Sequence, residues 1–248
     1  MKFIGLHEPF FSGNEQKYLK SCIKENWVST SGKFLNLFEN KLKRLIKAKY
    51  VIPVLNGTIG LHLSMILCGL KKNEEVIVPT ITFIATINAI RYVEAEPIFM
   101  DVDKYLNIDE VKTIEFILKK TIFRNGFTYN KKTKKKIAAL IVVHTFGNAV
   151  KLEKLYKICK KKNIKLIEDA AESLGTTYTE GKFKNRHTGT IGDLGIFSFN
   201  GNKIITSGGG GCIVTNDKIL AKKAKHLTTT AKVPHKWDFN HDMVGYNY

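Results

Sequence analysis

Residues Ile137 to Val143 form an unbroken run of seven apolar side chains, and such a run has few structural uses. It is far too short to cross a bilayer, which takes roughly 20 residues. It also lacks the alternation of a strand with one wet face, so it predicts a strand, Ile137 to Val142, covered on both sides. Shorter stretches of strand character occur at Val51 to Leu55, Glu75 to Val78, Glu96 to Met100 and Ile164 to Ile167. Between and before them, apolar residues recur at helical spacing over Asn14 to Glu25, Phe34 to Lys47, Ile59 to Cys68, Ala85 to Tyr92, Asp109 to Lys119 and Leu152 to Lys161. This alternation predicts an α/β fold, a mostly parallel sheet between helices. Two further strands, Gly195 to Phe199 and Cys212 to Thr215, follow without a helix between them, and Asp217 is placed to cap a last helix through Leu227. No repeat or Pro/Ser-rich linker divides the chain, so residues 1–248 read as one domain.

A formal charge of +18 raises the question of a nucleic-acid partner, but only four of the 40 basic residues are arginine, the side chain best suited to base readout. Most lysines fall on polar helix faces, and Lys131 to Lys136 reads as an exposed hairpin tip. Neither a nucleic acid nor a membrane is expected as a partner. The field instead suits attraction of a small anionic substrate. No signal peptide is evident at the start, and Cys22, Cys68, Cys159 and Cys212 lack C-x-x-C spacing. They read as reduced, buried thiols of a cytoplasmic protein.

The chemistry concentrates between residues 166 and 211. The strand Ile164 to Ile167 leads into a carboxylate, Asp169. Some thirty residues later a second strand ends in Ser198, Asn200 and one lysine, Lys203, before the run Gly208 to Gly211. A buried acid at one strand end and a lysine beyond another suit pyridoxal 5'-phosphate (PLP): the lysine makes a Schiff base and the acid holds the pyridine nitrogen protonated. Asn56-Gly57-Thr58 joins a strand to a helix, either as a common turn or as a phosphate cradle built from glycine, hydroxyl and free helix amides. The glycine run either allows close approach of another backbone or a ligand or is only a flexible turn. Phe83 opens a helix beyond a strand end, where it either lies on a cofactor ring or is an ordinary core aromatic. His144 and His187 have acid–base chemistry but no carboxylate at diagnostic spacing. No metal-ligand cluster is found.

With these residues in view, the chain closely resembles the DegT/DnrJ/EryC1/StrS family of PLP-dependent sugar aminotransferases. The resemblance runs through Trp27 to Lys33, Asn56-Gly57-Thr58, Pro79-Thr80 with Ala85 to Ala89, His144 to Gly147, Glu168 to Glu172, Ser198 to Lys203 and Gly245 to Tyr248. The details Phe199 to Thr206 and His226 to Lys232 are similar to the branch acting on nucleotide-linked 4-keto-6-deoxy-2-acetamido sugars of surface glycans. The resemblance implies the aspartate-aminotransferase fold (fold type I) and a homodimer, with L-glutamate as amino donor. It makes Lys203 and Asp169 catalytic. It assigns Gly57, Thr58 and Ser198 to the phosphate, Phe83 to the ring face, and Asn247 to the phosphate of the partner subunit, with Asn200 also at the cofactor. Glu172 stands where many members carry histidine or glutamine beside the phenolic oxygen, and Ile59 replaces a serine common after Gly-Thr. Lysine rather than histidine at 203 argues against the family's dehydratases. Substrate contacts are expected on Trp27 to Lys33 and on the loop near His187. Against the family's length the chain reads as cut short, without the C-terminal small domain. The alternative reading is therefore a non-catalytic PLP-binding remnant, or one subunit of a split enzyme completed by a C-terminal half.

Overall fold

The computed structural model describes residues 3–5, 7–26 and 32–248. In chain order the strands are β1 (Tyr50–Val54), β2 (Glu75–Pro79), β3 (Glu96–Met100), β4 (Thr121–Arg124), β5 (Phe127–Asn130), β6 (Ile137–Val143), β7 (Lys165–Asp169), β8 (Leu194–Ser198) and β9 (Gly211–Thr215). Seven of them form one sheet in the order β1-β9-β8-β7-β6-β2-β3. Six run parallel, and β9 is antiparallel to both neighbours. The reason is local: parallel neighbours need a crossover, usually helical, whereas β8 and β9 are joined by a loop without a helix.

The helices are α1 (Glu15–Lys24), α2 (Lys33–Ile46), α3 (Gly57–Leu67), α4 (Ile84–Tyr92), α5 (Glu110–Lys119), α6 (Glu153–Lys162) and α7 (Lys218–Thr228). Strand β6 shows why its sequence has no polar position. Leu140 and Val142 pack on one face with Ile117 of α5 and Leu155 of α6. Ala139, Ile141 and Val143 pack on the other with Leu61 of α3 and Ile90 of α4. All seven β6 residues are buried, each large aliphatic contributing about 1.5–3 kcal/mol. Towards the β1 edge, α2 covers one face through Leu42 and Ile46, and α3 with α7 covers the other.

The structure departs from expectation in one region. Lys131 to Lys136 is not the tip of the hairpin. Strands β4 and β5, neither legible as a strand, pair antiparallel around Asn125-Gly126, both at positive φ, as a two-residue turn of this hand requires. The lysine cluster forms the next turn, leading into β6, with the Asn130 amide donating to the Lys135 carbonyl at 2.9 Å. The cysteines are also less uniform than expected: Cys159 and Cys212 are buried, Cys22 and Cys68 only half-buried, and none is paired. No described helix is long and apolar enough to cross a membrane.

Candidate active site

A cavity of about 480 Å³ opens at the carboxyl edge of the sheet, lined among others by Thr58, Phe83, His144, Asp169, Ser198 and Lys203. These residues follow five different strands. An open parallel sheet places ligands there because strand ends and helix starts leave loops and unpaired backbone at that edge, and the volume suits a small molecule.

One wall is made for an anion. The Asn56 side chain accepts the Ile59 amide at 2.9 Å and so starts α3 at the pocket, where Asn56, Gly57 and Thr58 all line it. The first-turn amides have no partner within a helix, and the dipole makes this end positive. Gly57 lets α3 sit against β8: a Cβ there would stand 3.0 Å from the Ser198 Cβ. Ser198, buried at the end of β8, puts its hydroxyl on the same wall. In the four-glycine run, Gly211 serves close backbone approach. A Cβ on Gly211 would lie 2.5 Å from the Asn56 carbonyl carbon, which is backbone and cannot swing aside as the end of a flexible side chain would. Gly211→Ala is expected to cost about 3 kcal/mol, read as a lower melting temperature. Ile59 does not line the cavity. Its side chain packs in the α3–α7 core, because α3's periodicity turns it away from Thr58 and Leu61.

Two consecutive carboxylates on β7 point to opposite sides and have opposite fates. Glu168 is fully buried and receives four donors: the amides of Gly189 (2.9 Å), Ile191 (2.7 Å) and Gly192 (2.6 Å), and His144 Nε2 at 3.0 Å. Burial works to raise its pKa, but these hydrogen bonds and the nearby imidazole hold the carboxyl below its ordinary value. His144 Nδ1 accepts the Val150 amide at 3.2 Å, so the neutral ring carries its proton on Nε2, facing Glu168. The histidine thus has a carboxylate partner that sequence spacing concealed. Asp169 faces the cavity, buried, with two donors: Thr86 Oγ1 at 2.8 Å and the Ala171 amide at 3.2 Å. Desolvation dominates there and raises its pKa despite these bonds and the Lys203 charge. A carboxylate held in that way still has acceptor capacity for a charged N–H donor from a ligand.

Lys203 lies on the β8–β9 loop, with its side chain only 12% exposed and its Nζ 3.3 Å from Glu172 Oε1. Among the described lysines it alone lines the cavity. Glu172 Oε2 accepts the Phe146 amide at 3.1 Å, so one carboxylate ties the lysine to the turn after β6. Phe146 holds φ 51°, a left-handed conformation costing a phenylalanine roughly 1–3 kcal/mol, and it stands at the cavity mouth 73% exposed. Phe83 is 71% exposed, with the Lys203 ammonium 6.0 Å from its ring centre. It is therefore a pocket wall and not a core aromatic.

Asn200 lines the cavity beside Asn202, which sequence reading passed over. Asn247 does not; it bridges Thr229 on a short antiparallel contact. His187 is buried away from the cavity, accepting the Gly175 amide at 2.7 Å, so it organises its loop instead of facing a substrate. The expected contacts at residues 27–31 lie outside the described residues. Thr86, Glu168 and Phe146 had no signal in their spacing, because each acts through a residue distant in sequence. The described residues contain no group of metal-ligating side chains.

The DegT/DnrJ/EryC1/StrS aminotransferase family model matches residues 11–248. The chain belongs to this family. It is 37% identical over 248 residues to GDP-perosamine synthase of Escherichia coli O157:H7, covering 100% of this chain and 62% of that protein. It is 34% identical to UDP-4-amino-4,6-dideoxy-N-acetyl-beta-L-altrosamine transaminase of Campylobacter jejuni subsp. jejuni serotype O:23/36, covering 93% and 56%. Among solved structures it is similar to E. coli GDP-4-keto-6-deoxy-D-mannose-3-dehydratase with bound hydrated PLP, at TM-score 0.75 and 25% identity, covering 92% and 54%. The chain thus spans about 60% of the length of the curated relatives it matches. Transaminases and a dehydratase share this fold, so the fold by itself does not select the reaction.

Proposed function

We propose that this chain is the cofactor-binding part of a PLP-dependent aminotransferase that moves an amino group from L-glutamate to a nucleotide-linked 4-keto-6-deoxy sugar, the 2-acetamido form being the branch its motifs resemble. The observation carrying this reading is the meeting in one cavity of a helix N-terminus with Ser198, the buried acid Asp169, and Lys203, alone among the described lysines. These fit PLP from end to end. The α3 amides, Thr58 and Ser198 suit the phosphate. Asp169, raised by burial and short of donors, suits the ring N–H. Phe83 suits a ring face and Glu172 the phenolic side, with Asn200 closing the lysine's loop. The relatives with GDP- and UDP-linked names support a nucleotide sugar as acceptor.

When bound, PLP supplies an electron sink for negative charge at a carbon bearing nitrogen. The chain's own residues supply the rest. Lys203 would hold the cofactor, and its Nζ would take a proton from the donor's α-carbon and return it on the acceptor side. Asp169 would keep a proton on the ring nitrogen, its buried setting strengthening that interaction. Asn247, standing outside its own cavity, is proposed to serve the phosphate site of a second copy in a homodimer; completion by a C-terminal half is the other assembly consistent with the cavity. The cytoplasm is the proposed compartment.

Borohydride reduction after adding PLP, followed by peptide mass spectrometry, tests the reading. A phosphopyridoxyl group on Lys203 alone is expected. Labelling scattered over surface lysines, or none, would overturn the assignment of the site.

A further inference from the structure

The basic surface at the opposite end of the sheet is unused by this chemistry. Residues 119–136 hold seven lysines, one arginine and no acid. The structure gathers them. Lys131 Nζ donates to the Lys119 carbonyl at 2.8 Å, Thr128 to the Lys162 carbonyl at 2.6 Å, and Asn163 to the Gly126 carbonyl at 2.8 Å. The end of α5, the β4–β5 hairpin, the lysine turn and the Lys160 to Lys162 end of α6 therefore form one patch. The Glu75 amide donates to the Lys136 carbonyl, which fixes the patch at the amino ends of β2 and β6. A strand length, roughly 20 Å, separates it from the cavity.

The patch is apolar as well as basic. Strand pairing sets Ile122 opposite Tyr129 and Arg124 opposite Phe127, so these four share the outward face. Ile122 is 48% and Phe127 41% exposed. The Arg124 guanidinium lies 4.7 Å from the Tyr129 ring centre and the Lys136 ammonium 4.8 Å from that of Phe127. One face of each ring thus already carries a cation, which leaves less room for the base stacking that single-stranded nucleic acid uses. Lys136, Lys119 and Lys160 are paired with Glu74, Glu115 and Asp193, so what remains outward is an aliphatic and aromatic ridge beside the lysines of the 131–135 turn. That is the chemistry of an interface between water and an anionic bilayer.

Contrary to the expectation from composition that no membrane is a partner, we propose that the β4–β5 hairpin and the Lys131 to Lys136 turn form a peripheral docking surface for an anionic lipid membrane. The lack of a spanning helix does not bear on such a surface, since it lies on the bilayer without entering its core. Docked there, the molecule holds its cavity away from the lipid, open to dissolved substrates.

The test is flotation of the full chain with vesicles of phosphatidylglycerol and phosphatidylcholine in equal parts, against phosphatidylcholine alone. Binding is expected to the first only, and to be lost as salt rises from about 0.05 to 0.5 M. The variant K131Q/K132Q/K134Q/K135Q is expected to bind at least about tenfold more weakly, as is I122S/F127S, both with unchanged far-UV circular dichroism. The control K41Q/K218Q/K222Q/K223Q, which removes as much charge from α2 and α7, is expected to bind like the parent. Equal weakening by the control would show that net charge alone is responsible and overturn the proposal. So would absence of vesicle binding, or displacement from vesicles by single-stranded RNA at equal charge concentration.

Discussion

Glu168→Gln lowers the melting temperature by roughly 10 °C at pH 7, about 3 kcal/mol for a chain of this size. Four donors converge on this carboxylate. A glutamine turns its NH2 group toward two of them and leaves buried N–H groups facing N–H groups, the costly kind of change in a hydrogen-bonded core. The loop 189–192 and the His144 ring lose their common anchor together, so the effect exceeds that of one surface bond. The pH dependence has a definite sign. A carboxyl held below its unfolded pKa contributes stability above that unfolded value and loses it as pH falls through the folded one. Thermal melts from pH 7 downward should therefore show the gap between parent and variant narrowing in acid. A constant gap at all pH values would mean that the packing of the loop, and not the ionised carboxylate, is what the substitution removes.

Asp169→Asn has the opposite pattern. The ligand-free protein is expected to become more stable at pH 7, by on the order of 1 kcal/mol. Burial raises the Asp169 pKa, so its ionised form is a cost that grows as pH rises through the raised value and is relieved in acid. Asparagine fits the same contacts: its carbonyl accepts the Ala171 amide and its NH2 faces the Thr86 hydroxyl, which can accept. What it cannot do is hold a charged ring N–H. The rate at which added L-glutamate bleaches the visible absorbance of the PLP-loaded protein is expected to fall about a thousandfold. Differential melts without PLP, together with that half-reaction, check both halves of the prediction. A variant that is less stable without PLP, or that reacts at the parent rate, would show Asp169 to be a structural acid like its neighbour. The pair thus separates by experiment a carboxylate that holds the fold from one that holds a ligand.

The contrast also shows how far the chain could be read in advance. The α/β alternation was legible because strands buried on both faces have no polar position to lose, as β6 illustrates, and because the helices between them keep an apolar stripe. Asp169, Lys203, Ser198 and Gly57 were legible by residue type and by their place after strands, since a parallel sheet brings strand ends to one edge. The hairpin β4–β5 was not, because each face mixes polar and apolar residues, Ile122, Arg124, Phe127 and Tyr129 on one and Thr121, Phe123, Thr128 and Asn130 on the other. Nor was the use of the glycine run, since a missing side chain does not say which backbone approaches.

From sequence alone come the order of the helices and of the main-sheet strands, the parallel core and the types of group at the sheet's carboxyl edge, all consequences of side-chain volume and polarity along the chain. Tertiary structure alone decided that Lys203 and no other described lysine enters the cavity, that Glu168 is satisfied while Asp169 is not, and that Phe83 and Phe146 stand at its mouth. Those distinctions depend on what a side chain meets across space. Glu168 and Asp169 are adjacent and chemically alike, and only the loop folded over one of them makes their roles differ.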